Sequence, residues 1–189
     1  MSRARTLVGI SIFWVGLSML GDGFTTLVLP LRLTSLADPA FLATVVGLVT
    51  FLGIGAGLLV QPVAGALSDR SLGRWGRSAV VAVGAGLILL ALALFVAAPT
   101  LLAVVLAFVL VQVALNTAQS AQQAFIPDLV DGRWRGRAAG LKGFADVGGA
   151  FLAFLLLASL LGSGSITVAS AAIGVIVVVT ALLAIALVR

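Results

Sequence analysis

The residues that could bind a solute or an ion lie inside long apolar stretches of this sequence. Asp22, between Gly21 and Gly23, is placed about fifteen residues into the first stretch. A charge at the centre of a bilayer costs several kcal/mol, so such a residue usually faces a cavity or a partner. We predict that Asp22 binds the substrate or a coupling cation, either a proton or a sodium ion. The alternative is a neutral Asp22 that is hydrogen-bonded to a neighbouring helix.

A row of amides occupies the fourth apolar stretch. Gln112, Asn116, Gln119 and Gln123 are spaced at i, i+4, i+7 and i+11, so they share one helix face. Amides both donate and accept hydrogen bonds, which suits a small polar solute such as a hydroxyl-rich, neutral one. The same groups would also serve as interhelical hydrogen bonds, worth about 0.6 to 2 kcal/mol each. The spacing leaves both roles open.

The fifth stretch contains Lys142 and Asp146 at i and i+4. These residues either pair with each other or separate, with Lys142 reaching toward the cytoplasm. Asp146 is the sixth candidate for the lining of a binding cavity. The small residues of the second and fifth stretches predict close helix packing, at Gly53, Gly55, Gly57, Gly143, Gly148 and Gly149.

Covalent chemistry has little support in this composition. The sequence contains no Cys and no His, which excludes disulfides, thiolate chemistry and the commonest general base. No nucleophile–base pair or metal-binding cluster is visible, so we expect neither an enzyme nor a bound cofactor. The net charge of +5 does not indicate nucleic-acid binding, because the cations cluster at the ends of apolar stretches.

The elements that position these residues must be membrane-spanning helices. The chain is 62% hydrophobic and 9% charged, whereas a soluble domain is about half apolar and a quarter charged. A spanning helix needs about 20 mostly apolar residues. We predict an all-α membrane protein with six transmembrane helices in a single bundle over residues 1–189, with Pro30 and Pro127 near the ends of the first and fourth. The predicted helices are 7–31, 42–67, 78–98, 101–125, 138–161 and 166–188.

The arginines predict the orientation of this bundle. Nine of them lie at the two termini and in the loops after the second and fourth helices, and Arg32 alone lies on the other side. We expect the protein in the inner (plasma) membrane of the cell. By the positive-inside rule, both of its termini are expected on the cytoplasmic side.

The polar residues also divide the helices into two groups of three. The third and sixth helices contain no ionisable or amide side chain, so we expect them to face lipid all round. Asp22 and Asn116 lie at similar depths in the first and fourth helices, which run in opposite directions. This pattern predicts an inverted 3+3 repeat with a binding site at the membrane midplane.

Two charged loops carry the most specific motifs. A carboxylate such as Asp69 among several guanidinium groups forms charge-assisted hydrogen bonds that could act as a gate. The alternative is a solvated loop whose arginines only set the orientation. The predicted gating residues are Gly65, Asp69, Arg70, Gly73, Arg74, Arg77, Asp128, Arg135 and Arg137.

The first loop resembles the loop between helices 2 and 3 of the major facilitator superfamily. It reads Gly65-x-x-x-Asp69-Arg70 and then Gly73-Arg74-x-Gly76-Arg77, with one extra residue before Gly73. The Ser-Asp-Arg…Arg-Trp-Gly-Arg form is similar to the cation-coupled sugar symporters of that superfamily. The second loop, Ile126-Pro127-Asp128 with Arg135-Gly136-Arg137-Ala138, is similar to the loop between helices 4 and 5. Helix 4 lacks the Arg, and helix 5 the Pro motif, of the family's proton antiporters.

The resemblance implies the N-terminal six-helix half of a secondary transporter that moves a small solute by alternating access. Family members have two six-helix halves related by an axis along the membrane normal. We therefore expect a second half, supplied by an identical chain in a dimer or by a separate protein, in addition to the lipid bilayer. The competing class is a non-transporting membrane scaffold or assembly protein, or a fragment of a transporter.

Overall fold

Six long helices make up the part of this protein that the structure describes. The computed structural model describes residues 3–70, 76–162 and 165–188, and within these ranges it contains helices and connecting turns but no strand. All six helices are long and apolar enough to cross a membrane, which confirms the predicted all-α architecture and makes the chain a multi-pass membrane protein. The helices are α1 (Ala4–Thr34), α2 (Leu42–Arg70), α3 (Gly76–Ala97), α4 (Leu101–Leu129), α5 (Gly132–Gly162) and α6 (Ile166–Val188).

Two helices continue past the prolines near which they were expected to end. Pro127 lies in the last turn of α4, which still closes with a hydrogen bond from Val130 N–H to the Ile126 carbonyl at 3.1 Å. Pro30 follows a π-helical segment, Met19–Val28, after which the helix continues to Thr34. The wider π turn relieves the clash between a proline ring and the carbonyl four residues before it. Both prolines are therefore accommodated near helix ends.

The helices pack as two groups of three. In one group α4 packs against α2 and α3, and in the other α1 packs against α5 and α6. The two groups meet mainly where α3 packs on α6 and where α1 contacts α4. The expectation that α3 and α6 face lipid all round is wrong, because one face of each is buried, as at Ile88 and Ile173. The least buried helices are α2 and α5.

Glycines allow the closest of these helix contacts. A Cβ atom added at Gly57 of α2 would lie 2.9 Å from Asn116 Cγ on α4. One added at Gly149 of α5 would lie 2.6 Å from the Val15 carbonyl oxygen on α1. Gly53 is equally close to α4, so the packing prediction is confirmed at these three sites. It is wrong at Gly55, Gly143 and Gly148, where no other described residue comes within 4 Å of an added Cβ.

Candidate functional site

A polar cleft of about 250 Å³ opens halfway along the helices, between α1, α4 and α5, with Ile54 of α2 at its edge. Five of the six residues predicted to bind a solute or an ion line it together: Asp22, Gln112, Asn116, Gln119 and Asp146. Gln123, the sixth, is exposed and outside the cleft. It shares the helix face with Gln112, but eleven residues place it about 16 Å further along the axis.

Asp22 lies in the π-helical segment of α1, and its side chain is exposed at the cleft. The next residue, Gly23, is buried against α5, where an added Cβ would meet Leu157 Cδ1 at 3.1 Å. Close packing of α1 on α5 at Gly23 therefore lies directly beside the carboxylate of Asp22 at the cleft. π-Helical turns are rare in proteins, and those that occur are frequently found at functional sites. Here the π-helical segment contains Asp22, the predicted binding residue.

Asp146 is held at the cleft by α1, because its carboxylate accepts a hydrogen bond from Ser18 Oγ. Lys142, one turn earlier in α5, does not pair with Asp146. Its side chain also does not extend toward the cytoplasm, which was the predicted alternative. Its ammonium lies 3.8 Å from the centroid of the Trp14 ring, in cation–π geometry. The cleft thus combines two carboxylates from facing helices with one neighbouring cation, which favours the binding of a further positive charge.

The amides of α4 divide between the two roles that the sequence left open. Gln112 Nε2 donates to Thr25 Oγ1 of α1 at 3.2 Å, and the fully buried Gln122 donates to the Ile10 carbonyl at 2.5 Å. These two amides join α4 to α1. Asn116 donates instead to the Gln112 carbonyl of its own helix at 2.9 Å, and Gln119 is partly exposed at the cleft. Asn116 and Gln119 are therefore placed to contact a solute.

Three lining residues of α1 whose side chains could contact a polar solute were missed in the sequence. Trp14, Ser18 and Thr25 line the cleft beside Asp22. Their positions relative to Asp22 are i−8, i−4 and i+3, the same helical spacing that identified the amides of α4. Applying that periodicity to α1 would have found them. No group of three or more His, Cys, Asp or Glu side chains that could hold a metal ion occurs in the described part of the chain.

A charged cluster joins the ends of α2, α3 and α4, away from the cleft. Arg77 forms an ion pair with Asp69 at 2.8 Å and a second one with Asp128, and it lies 3.4 Å from Ser68 Oγ. Of the predicted gating residues, the structure therefore brings together Asp69, Arg77 and Asp128. Within the described residues the cluster contains one arginine, whereas the sequence had predicted several around Asp69.

Of the other predicted gating residues, those that the structure describes are not part of this cluster. Arg135 donates to the Pro127 carbonyl at 2.8 Å and thus caps α4, while Arg137 lies 4.4 Å from the centroid of the Trp134 ring. Arg70 is exposed at the end of α2, and no described residue approaches an added Cβ at Gly65. Gly73 and Arg74 lie outside the described residues.

Neither a protein-family model nor a curated protein matches the chain.

Proposed function

We propose that this protein is one six-helix half of a secondary active transporter of the major facilitator type, which moves a small polar solute by alternating access. The observation that carries the proposal is the cleft at mid-helix depth. Asp22, Asn116 and Asp146 lie near the middle of helices long enough to span a bilayer, where polar and charged groups are costly and mark solute or ion pathways. A proton or a sodium ion would bind at Asp22, with the carboxylate of Asp146 facing it.

The helix packing supports an inverted 3+3 repeat. Exchanging α1 with α4, α2 with α5 and α3 with α6 leaves the packing scheme unchanged. The partners of α4, which are α2 and α3, become the partners of α1, which are α5 and α6, and the α1–α4 and α3–α6 contacts map onto themselves. Burial follows the same exchange, since α1 and α4 are the most buried helices and α2 and α5 the least. A binding site at the midplane is what such a repeat produces in transporters.

Glycine contacts follow the same exchange. Gly57 of α2 lies against Asn116 of α4, and Gly149 of α5 lies against Ser18 of α1. In both cases a glycine of an outer helix allows close approach to a polar residue of an inner helix at the cleft. Two equivalent contacts of this kind favour a common origin of the two three-helix units.

The Arg77 cluster is proposed to act as the gate on the cytoplasmic side. It fastens the ends of three helices with ion pairs whose carboxylates remain exposed, so that water can replace them at modest cost. The arginine distribution favours an orientation in which this end of the bundle lies on the cytoplasmic side of the plasma membrane.

A second six-helix half is proposed to cover the cleft. The cleft opens on the side flanked by α2 and α5, which carry large exposed apolar residues such as Phe51, Phe144 and Val147. Pairing about an axis along the membrane normal would cover these faces and bring two clefts together. The partner is either an identical chain, forming a closed dimer, or a separate half.

Single cysteines test alternating access directly, because the chain contains none of its own. Gln119→Cys places a thiol in the cleft, and Val83→Cys on the exposed face of α3 is the matched control. In sealed vesicles of either orientation, a membrane-impermeant maleimide should reach Gln119→Cys from both sides and Val83→Cys from neither. Labelling of Gln119→Cys from one side only would rule out alternating access and favour a static scaffold.

Orientation and oligomeric state complete the test. Thr100→Cys should react from outside intact cells, and Gly132→Cys should not; the reverse result would refute the orientation. Light scattering in mild detergent gives the protein mass of the active form. A chain that transports solute in liposomes as a 19.1 kDa monomer would refute the twelve-helix unit.

A further inference from the structure

A second cavity, of about 350 Å³, lies at the end of the bundle that carries most of the arginines. It is bounded by the start of α1, the connection between α4 and α5, and the end of α6. None of its lining residues belongs to the polar cleft. Because it lies at the ends of membrane-spanning helices, it is placed at the boundary between the apolar part of the bilayer and water.

The walls of this cavity are largely apolar. Leu7, Leu129, Val130, Trp134 and Val188 supply most of the lining, together with Asp131. Trp134 has the amphipathic ring that is enriched at membrane–water interfaces. An open apolar cavity at this depth matches an acyl chain better than it matches a soluble polar molecule.

Three exposed arginines are neighbours of residues that line the cavity. Arg5 precedes the lining residue Leu7, and its guanidinium donates to the Ala186 carbonyl at 2.8 Å, beside the end of α6. Arg133 is next to Trp134 in the chain. Arg137 lies over the Trp134 ring, with its guanidinium carbon 4.4 Å from the ring centroid, and its side chain is exposed.

The balance of charge around the cavity is positive. Among the described residues, Arg135 also donates to the carbonyl of the lining residue Val130, so four guanidinium groups neighbour the lining. Against them stand the carboxylate of Asp131 and that of Asp128, which is already paired with Arg77. Arginine donates paired, charge-assisted hydrogen bonds to phosphate oxygens. Basic pockets between transmembrane helices bind anionic lipid head groups, and each basic residue near a membrane surface adds to the attraction for anionic lipid.

We propose that this cavity is a binding site for one anionic phospholipid. An acyl chain occupies the apolar cavity beside Leu7, Leu129 and Val188, and the phosphodiester lies against Arg5, Arg133 and Arg137. The apolar walls select a lipid over a soluble phosphate, and the arginines select an anionic over a zwitterionic head group. The site lies outside the proposed transport pathway and does not depend on it.

Native mass spectrometry of the detergent-solubilised full chain tests this proposal. The protein is titrated with phosphatidylglycerol and, in parallel, with phosphatidylcholine of the same acyl chains. The wild type should bind its first phosphatidylglycerol more tightly than its first phosphatidylcholine. Each of the substitutions Arg5→Gln, Arg133→Gln and Arg137→Gln should weaken phosphatidylglycerol binding about fivefold, the attraction expected of one basic residue near the head group.

Matched variants separate this site from a general effect of charge. Arg70→Gln removes the same charge at the exposed end of α2, away from the cavity, and should leave binding unchanged. Leu7→Trp fills the cavity and should weaken binding of the acyl chain without changing the net charge. The arginine side chains are exposed, so their variants remain informative if Leu7→Trp fails to fold.

Several results would overturn the proposal. These are equal affinity for the two lipids, an effect of Arg70→Gln as large as that of the three arginines, or a folded Leu7→Trp variant that binds like the wild type. If millimolar inorganic phosphate displaces the lipid, the ligand of this site is a soluble anion and the lipid proposal is refuted. Failure of inorganic phosphate to compete supports the lipid.

Discussion

Replacing Gly57 by alanine tests the contact that places α2 against the cleft. An added methyl group would lie 2.9 Å from Asn116 Cγ and 3.2 Å from the Gln112 carbonyl oxygen, and closer still to the Asn116 amide nitrogen. Both distances are shorter than normal van der Waals contact, so either the Asn116 side chain or α2 must move. Such overpacking typically costs about 1 to 3 kcal/mol. For a chain of this size, that corresponds to a thermal midpoint lowered by roughly 2 to 12 °C.

Gly55→Ala is the matched control on the same helix. No described residue lies within 4 Å of an added Cβ at Gly55, so this change adds a methyl group in open space. Alanine favours helix over glycine by about 1 kcal/mol, which makes the control neutral or stabilising. The thermal midpoints of the Gly57→Ala and Gly55→Ala variants are measured in detergent from the loss of the helical circular dichroism signal on heating.

A double variant identifies the clashing partner. Asn116→Ala removes the side chain that the methyl group would meet, so Gly57→Ala should cost less in that background than in the wild type. The rescue should be incomplete, because the Gln112 carbonyl stays at 3.2 Å. Equal midpoints for Gly57→Ala and Gly55→Ala, or additive effects in the double variant, would refute the close packing of α2 on Asn116.

Three further perturbations test the interhelical amide, the proposed gate and the proposed ion site. Gln122→Leu removes the 2.5 Å hydrogen bond to the Ile10 carbonyl and should destabilise the protein by about 1 kcal/mol in the same unfolding assay, and no change would contradict the bond. Arg77→Gln removes both ion pairs of the Arg77 cluster and should also cost about 1 kcal/mol, whereas Arg70→Gln should cost less than half as much; equal costs would argue against the proposed gate. Asp22→Asn should abolish uphill solute accumulation in liposomes while leaving solute exchange intact. Retained proton- or sodium-driven uptake in that variant would exclude Asp22 as the coupling site.

The cleft was predictable where helical periodicity decides the outcome. Gln112, Asn116 and Gln119 share one face of α4 because of their spacing alone, and that face does line the cleft. Asp22 was predictable because a carboxylate within an apolar stretch needs a polar environment. Gln123 was not excluded by periodicity, since only the length of the cleft along the helix axis leaves it outside.

The contacts that the charged side chains make were less predictable from the sequence. Lys142 had two plausible positions in the sequence, and the structure uses a third, over the ring of Trp14 on another helix. Arg77 was one of several arginines near Asp69, and its selection also depends on Asp128, which is supplied by α4. These choices depend on how helices that are remote in sequence come together. The local sequence pattern contains no information about the distance in space between residues on different helices.

By itself the sequence determined that the chain is a bundle of membrane helices and which helix faces are polar. Hydrophobicity and the helical period are local properties, so they are fully present in the order of residues. Only the tertiary structure decided that α1 and α4 are the central helices and that Ser18 bonds to Asp146, a residue 128 positions away. Without a hydrophobic driving force between helices in lipid, those contacts depend on close packing at small residues such as Gly57 and Gly149, and only the assembled bundle shows which glycines are used.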